Sequence, residues 1–279
     1  MASFAFSAGR TLVVAFEGWN DAGEAASGAV RRIRDARGSL ALAEIDPEDY
    51  FDYQFSRPVV ANSADGTRRI LWPGVTMYGP TSPDDDIYLL LGTEPSRAWK
   101  TFAIEVLELV EDREIEFVVL LGAMLADVPH TRPIATFVSS ENADVRAAFG
   151  LERSSYEGPV GILTVLADAF ERAGIPTMAI WASVPHYVHN APSPKATLAL
   201  LDKLQEFVDV DVPRAELVEE ASVWESGIDA LADDDEEMAS YIETLERARD
   251  TVDSPEASGD AIAEEFERYL RRRDGDGKA

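Results

Sequence analysis

The chain contains no cysteine, which excludes disulfide bonds and any chemistry that depends on a thiol. Long apolar runs are missing as well, because no stretch approaches the roughly 18 consecutive apolar residues that mark a membrane-spanning helix. The N-terminus has no basic segment followed by an apolar core, so a secretory leader is not expected. Together these absences predict a cytoplasmic protein that does not enter a membrane.

Basic residues are scarce. The 279 residues include 25 Lys or Arg and 52 Asp or Glu, for a net charge of −27. This charge argues against nucleic-acid binding, because a basic patch that neutralises phosphates does not form easily on such a surface. It also argues against binding to an anionic membrane. A solvated surface that keeps the protein soluble is the simplest explanation of the acidity.

Apolar runs of strand length alternate with helical segments through the first 208 residues. Residues 11–16 form a β-branched and apolar run of strand length, and the runs 87–91 and 117–121 are apolar throughout, as is typical of strands buried on both faces. A turn signal at residues 64–67 lies between the runs 57–60 and 69–78 and predicts an antiparallel hairpin, hence a mixed sheet. We therefore predict a three-layer α/β domain over residues 1–208, with a mixed sheet flanked by helices.

The remainder of the chain has a different character. Residues 209–279 contain 23 acidic and 8 basic residues and no run rich in β-forming residues. Apolar stripes at helical spacing predict helices there: Val218, Ala221, Trp224, Ile228 and Leu231; Met238, Tyr241, Ile242 and Leu245; and a third stripe over 262–270. We predict an acidic helical appendage over 209–273, packed on the α/β domain or on another subunit, and a disordered tail over 274–279.

The first strand passes through a Gly-rich turn into a helix of small residues, and α/β proteins commonly place sites at such junctions. Neither glycine-rich phosphate motif is present, and Glu17, Asp21 and Glu24 would repel an anion. One hypothesis is a carboxylate site with Glu17 as base, Asp21 beside it and Trp19 stacking on a substrate. The other, which we favour, is that Asp21 and Glu24 form a capping box and Trp19 lies in an interface.

The three histidines, His130, His186 and His189, lie in loops at predicted strand ends. Their combination with Asp127 has the residue types of a metal site, but the adjacent prolines predict loops that do not fix the ligand spacing, so no metal is predicted. In an open sheet the carboxyl ends of the strands meet in one crevice. A phosphorylase- or hydrolase-like enzyme acting on a small molecule there would use Glu17, Asp21, His130, Arg132 and His186, although no nucleophile-elbow motif is present.

Aromatic residues cluster after the second strand, where Tyr50, Phe51, Tyr53 and Phe55 occupy a predicted loop. Aromatic side chains in loops often anchor interfaces. They also pack over sheet edges, since large aromatic side chains serve both purposes. The sequence leaves both interpretations open.

Five short motifs occur in order along the chain: residues 18–26 (GWNDAGEAA), 57–59 (RPV), 91–95 (LGTEP), 129–133 (PHTRP) and 184–188 (VPHYV). Taken together, they resemble the proteasome assembly chaperone 2 family, in its bacterial branch. The resemblance runs through about residues 10–208. It implies a fold similar to that of nucleoside phosphorylases, homo-oligomerisation with a trimer as one candidate stoichiometry, and a role in protein assembly rather than catalysis.

We therefore predict a non-enzymatic, homo-oligomeric assembly or interaction protein without a cofactor, whose partners are its own copies and a protein such as a proteasome subunit. The candidate interface or ligand residues are Trp19, Asn20, Asp21, Tyr50, Phe51, Tyr53, Glu94, His189 and Asn190. Archaeal and eukaryotic members of this type often end in a hydrophobic-Tyr-any tail. This sequence ends in DGDGKA, so docking by such a tail is not predicted.

Overall fold

A computed structural model describes residues 9–63, 66–82, 85–188 and 192–252. The strands are β1 Thr11–Glu17, β2 Leu40–Ile45, β3 Val59–Asn62, β4 Arg68–Leu71, β5 Val75–Gly79, β6 Ile87–Thr93, β7 Phe117–Ala126, β8 Thr136–Ser139 and β9 Thr177–Pro185. The helices are α1 Ala25–Arg37, α2 Trp99–Asp112, α3 Ala143–Phe149, α4 Ile162–Arg172, α5 Pro194–Gln205, α6 Ala215–Asp233 and α7 Glu236–Val252. The sequence predicts a polar loop from Met124 onward, whereas the strand β7 runs to Ala126.

Seven strands form one mixed sheet in the order β2-β5-β6-β1-β7-β9-β8. The strands β6, β1, β7 and β9 are parallel, whereas β5 is antiparallel to both β2 and β6, and β8 is antiparallel to β9. The predicted α/β class with a mixed sheet is therefore confirmed. The sequence predicts that the hairpin around residues 64–67 makes the sheet mixed. This reason is wrong, because the hairpin strands β3 and β4 form a separate two-stranded ribbon. The run 69–78, expected as one strand, is divided between β4 and β5.

Helices cover both faces of the sheet, which explains why its central strands are predominantly apolar. Along β1, Val13 and Ala15 face the layer of α1 and α5, whereas Leu12, Val14 and Phe16 face the layer of α2 and α4. This alternation divides the core into two hydrophobic clusters, one on each side of the sheet. Gly38 ends α1 with a φ of 61°, as the sequence predicts for a glycine C-cap.

The described part of the acidic C-terminal segment contains α6 and α7. Leu217 of α6 belongs to the core cluster that contains α1 and α5. The predicted stripe on α6 is partly wrong: Leu217, Ala221, Ile228 and Ala232 are buried, whereas Val218 is 51% exposed and Leu231 is 63% exposed. Apolar residues occur on both sides of this helix, so periodicity alone does not identify the side that packs.

On α7, Ile242 and Leu245 are buried, in keeping with the predicted stripe. The third stripe and the tail over 274–279 lie outside the described residues. The division of the chain at residue 208 stays a prediction. In the part of the chain that the structure describes, no helix has the length and apolar character needed to cross a membrane.

Candidate functional site

The turn between β1 and α1, residues 18–24, which we name the opening turn, is built on two glycines with positive φ. Gly18 has a φ of 121° and Gly23 a φ of 61°, and a Cβ added at Gly23 would lie 2.8 Å from the Cβ of Ser193. The backbone N–H of Ala123 in β7 donates to the Asn20 carbonyl oxygen at 2.8 Å. This bond fixes the turn to β7, and the backbone N–H of Ser193, the N-cap of α5, donates to the Gly23 carbonyl oxygen at 2.7 Å.

Asp21 is 6% exposed and its side chain caps α1. Its Oδ1 accepts hydrogen bonds from the backbone N–H groups of Ala26 at 2.8 Å and Ser27 at 3.1 Å. Burial raises the pKa of the Asp21 carboxyl, although these hydrogen bonds and the charge of Arg31 lower it. Its Oδ2 has no hydrogen-bond partner among the described residues.

The favoured hypothesis that Asp21 caps the helix agrees with these contacts, but the predicted capping box is wrong. Glu24 does not return a side-chain hydrogen bond to the turn; it adopts a φ of 49° and lies 3.7 Å from Arg31. The extra residues between Asp21 and the helix form a short 3-10 turn over Ala22–Glu24, which moves the carboxylate next to Ala26 and Ser27.

Asn20 and Glu94 are brought together beneath this turn. The Asn20 Nδ2 donates to Glu94 Oε1 at 2.9 Å, and the backbone N–H of Ile162 donates to the same oxygen at 2.9 Å. A Cβ at Gly161 would lie 2.3 Å from the Asn20 side chain. Glu94 therefore joins the end of β6, the opening turn and the N-terminus of α4.

Two further predicted residues of the turn lie closer to the surface. Glu17 forms an ion pair with Arg31 and accepts a hydrogen bond from the Thr93 hydroxyl at 3.3 Å. Trp19 is 52% exposed, and its side chain is the large apolar group that this turn presents to solvent.

His130 is buried, with 1% of its surface exposed, between the sheet and α6. Its Nδ1 is 2.8 Å from the Tyr187 hydroxyl and its Nε2 is 3.0 Å from Asp229 Oδ1. The Lys195 ammonium donates to the His130 carbonyl oxygen and forms an ion pair with Glu225 on α6. These contacts connect the loop after β7 to α6 and to the start of α5.

Arg132 in the same loop binds α7. Its guanidinium donates to both carboxylate oxygens of Asp250, at 2.7 and 2.9 Å, and to Glu246 at 3.2 Å. The Arg132 charge and hydrogen bonds hold the pKa of Asp250 below its usual range. Thr131 also donates to Glu246. The PHTRP segment is therefore a polar attachment for both C-terminal helices.

His186 lies at the end of β9, where its Nδ1 is 3.3 Å from Asp127 Oδ1. Its ring contacts the edges of Tyr187 and Tyr241, with centroids 5.7 and 5.5 Å away. The Tyr241 hydroxyl of α7 donates to Asp127 at 3.3 Å. The VPHYV segment, like the PHTRP segment, holds an acidic helix against the strand ends.

The enzyme hypothesis expected Glu17, Asp21, His130, Arg132 and His186 to meet in one pocket. The structure instead pairs them with groups on α1, on α6, on α7 and in the loop after β7, and His130 and His186 share one contact, the Tyr187 side chain. One groove on the described surface, of about 610 Å³, includes His186 alone of the five, and another, of about 550 Å³, includes none of them. Among the described residues no group of three or more His, Asp or Glu side chains is arranged to hold a metal ion.

The aromatic loop divides between core and surface. Tyr50 and Phe51 are buried in the cluster beneath α2, and Tyr53 packs on Trp72 with ring centroids 4.8 Å apart. Phe55 is 85% exposed. His189 and Asn190, which complete the predicted set, lie outside the described residues.

The β3–β4 ribbon continues the exposed surface that begins at Phe55. We name residues 55–63 and 66–72 the arm. Fifteen large apolar side chains are exposed in the described part of the chain, and six of them lie on the arm: Phe55, Val59, Val60, Ile70, Leu71 and Trp72. Patches of this kind mark interaction surfaces.

Sequence reasoning missed Val59, Val60, Ile70 and Leu71 as surface residues. A signal was available, because each strand contains two adjacent apolar residues. In a strand, adjacent side chains point to opposite faces. A short ribbon with this pattern has no purely polar face, which distinguishes it from a hairpin lying on a core.

Comparison with known proteins identifies the family. The PAC2 family profile matches residues 15–232, from within β1 to near the end of α6. A PAC2 family protein of Streptomyces avermitilis shares 42% identity, with 83% of this chain and 99% of that chain covered and a TM-score of 0.76. The proteasome-assembly chaperone homologue of Mycobacterium tuberculosis shares 43% identity at the same coverage, with a TM-score of 0.74.

A more distant likeness is one of fold alone. Pyrococcus furiosus PbaB, an archaeal proteasome activator, shares 14% identity over 80% of this chain and 93% of that chain, with a TM-score of 0.63. No curated protein sequence matches the chain. The family profile and the two bacterial structures confirm the resemblance seen in the sequence motifs: the chain belongs to the PAC2 family.

Proposed function

We propose that this protein is a homo-oligomeric, non-enzymatic chaperone-like protein that binds a protein partner, with proteasome subunits as the partner class. The observation that carries the proposal is the 43% identity to the proteasome-assembly chaperone homologue of Mycobacterium tuberculosis, of which 99% is covered. The exposed apolar side chains of the arm and Trp19 provide surfaces suited to binding proteins.

The arrangement of polar groups also supports a binding role. His130, Arg132 and His186 hold α6 and α7 against the strand ends, while Asp21, Asn20 and Glu94 shape the opening turn. Within the proposal, these groups build the scaffold that presents Trp19. We assign partner contact to Trp19 because it is the exposed aromatic residue of that turn.

The test is an assembly reaction with recombinant proteasome α and β subunits from the same organism. Native gel electrophoresis follows the appearance of assembled particles with and without this protein at equimolar concentration. We expect faster assembly, or an accumulated intermediate that contains the protein. Sedimentation velocity of the protein alone tests for a homo-oligomer.

Two variants make the assembly test specific. Trp19→Ala removes the exposed aromatic of the turn, and Ile104→Ala removes an apolar side chain, 59% exposed, from α2. We expect Trp19→Ala to weaken partner binding about tenfold or more, as for an aromatic hot spot, and Ile104→Ala to leave it unchanged. Assembly that proceeds identically without the protein would refute the proposed partner class.

A further inference from the structure

The arm has two uncovered apolar faces. Val59 and Val60 are adjacent in β3, and Ile70 and Leu71 are adjacent in β4, so each strand places one apolar side chain on each face. A two-stranded ribbon with nothing packed on either face is only marginally stable in water. The arm therefore gains stability from a surface that covers it.

The arm is also basic within a strongly acidic protein. Its segment, residues 55–72, contains three arginines, Arg57, Arg68 and Arg69, and one acidic residue, Asp65, while the whole chain has a net charge of −27. All three arginines are exposed. A surface that covers the arm is best matched if it combines apolar side chains with carboxylates.

The outer side of α6 has this combination. Glu219, Val223, Gly227 and Leu231 follow one another at intervals of four residues and form one ridge, which we name the α6 ridge. Val223 is 68% exposed and Leu231 is 63% exposed. The adjoining groove, of about 550 Å³, is lined by Arg32 and by Glu216 and Glu220, which form ion pairs with Arg32. Glu219 on the ridge lies outside these ion pairs and is exposed.

Gly227 supports a close approach to this ridge. It lies inside a helix of 19 residues, where glycine weakens helix formation. A Cβ at this position would meet nothing within 4 Å in the chain, so packing within one copy does not require a glycine. A glycine between two exposed apolar side chains lets another backbone come near.

The residues at the base of the arm and the helix α6 pack against opposite faces of the sheet. The base of the arm follows Tyr50 and Phe51, which are buried in the cluster beneath α2 and α4. The helix α6 packs on α5, and its Leu217 belongs to the other cluster. A contact between the two surfaces therefore joins different copies.

We infer that the arm of one copy packs on the α6 ridge of a second copy, with its apolar side chains against Val223 and Leu231 and its arginines against Glu219. Copies that each carry a charge of −27 repel one another, so a self-contact needs local charges of opposite sign. Because the contact joins two different surfaces, each copy binds one neighbour through its arm and another through its α6 ridge. Such an assembly closes into a ring when the rotation that relates neighbouring copies brings the last copy back to the first. The inference rests on the homo-oligomer of the proposed function and specifies its contact.

Cross-linking tests the contact directly, since the natural chain contains no cysteine and introduced thiols are the only ones present. The full-length Ile70→Cys and Val223→Cys proteins are mixed, allowed to exchange subunits and treated with a short bismaleimide. We expect a covalent dimer containing one chain of each variant. The matched control mixes Val223→Cys with Ile104→Cys, whose thiol on α2 is equally exposed, and should give no more than background.

A charge exchange tests the same contact without a cross-linker. We expect Arg69→Glu to raise the dissociation constant of the oligomer about tenfold or more, because like charges then oppose each other. Adding Glu219→Arg in the same chain should restore most of the affinity if the two positions are neighbours across the interface. Circular dichroism of each variant shows whether its fold is retained.

The outcomes separate this inference from the proposed function. An oligomer without the Ile70–Val223 product, or with a product from Ile70→Cys alone, overturns the inference and leaves the homo-oligomer intact. A protein that remains monomeric at concentrations up to about 100-fold above that of the cross-linking experiment overturns both the inference and the homo-oligomer. An arm that becomes protected from labelling only when a proteasome subunit is added shows that a partner, rather than a second copy, covers it.

Discussion

Replacing Asp21 tests whether the opening turn is an architectural element. Its Oδ1 accepts hydrogen bonds from the Ala26 and Ser27 backbone N–H groups in a site where the side chain is 6% exposed. Asp21→Ala leaves both donors without their acceptor. Loss of a helix cap costs about 1 kcal/mol, and each buried unsatisfied donor about 1–3 kcal/mol. We expect the free energy of unfolding to fall by about 2–3 kcal/mol.

Asp21→Asn separates the cap from the buried charge. The amide oxygen retains an acceptor for the two N–H groups, so we expect the free energy of unfolding to change by less than about 1 kcal/mol at pH 7. Burial raises the pKa of the Asp21 carboxyl, so the folded state binds its proton more tightly than the unfolded state. The resulting stabilisation is complete below the ordinary carboxyl pKa of about 3.9 and is lost as pH rises through the raised value.

Urea unfolding at pH 7 and pH 5, followed by circular dichroism, measures both effects. Taking the difference between wild type and Asp21→Asn cancels the contributions of the other acidic residues. We expect wild type to gain stability relative to Asp21→Asn at the lower pH. The reasoning is refuted if Asp21→Ala costs less than about 0.5 kcal/mol, the low end for a helix cap, or if the difference changes with pH in the opposite direction.

Three further changes give distinct results. Gly23→Ala should lower the free energy of unfolding by about 2–3 kcal/mol, because the added Cβ meets Ser193 and the residue must also adopt a positive φ. Gly38→Ala, where φ is also positive but the Cβ position is open, should lower it by only about 1 kcal/mol; thermal or urea unfolding measures both. Gly227→Ala should raise the free energy of unfolding of the monomer by about 1 kcal/mol while weakening self-association in sedimentation velocity. Arg132→Ala should speed hydrogen exchange along α7 at pH 7, because it removes the ion pair with Asp250. In the wild-type protein this ion pair is lost as pH falls below the ordinary carboxyl range, so exchange along α7 should increase at acid pH in the wild type but not in the variant.

The sheet and its coverage follow closely from local patterns. The β-branched and apolar run 11–16 and the wholly apolar runs 87–91 and 117–121 are buried strands, and the small residues after the opening turn form a thin helix. The hairpin was also identified, but its place was not. Turn chemistry specifies that two strands pair with each other, whereas their position relative to the main sheet depends on contacts distant in sequence.

The candidate site was predicted less completely than the fold. The segments PHTRP and VPHYV were recognised as distinctive, yet their partners are far away in the chain: His130 meets Asp229 across 99 positions, and Arg132 meets Asp250 across 118. Spacing rules describe neighbours on one helix or strand and carry no information about such pairs.

By itself, the sequence determined the alternation of strands and helices, the C-cap at Gly38 and the family, because each depends on local periodicity, on a backbone conformation that favours glycine or on ordered motifs. The tertiary structure alone decided which side of α6 is buried and that the arm stands outside the sheet. It also decided that the histidine loops attach α6 and α7 to the strand ends. These outcomes depend on which of several apolar surfaces and carboxylates meet when the layers pack, and that choice is made by contacts between distant parts of the chain.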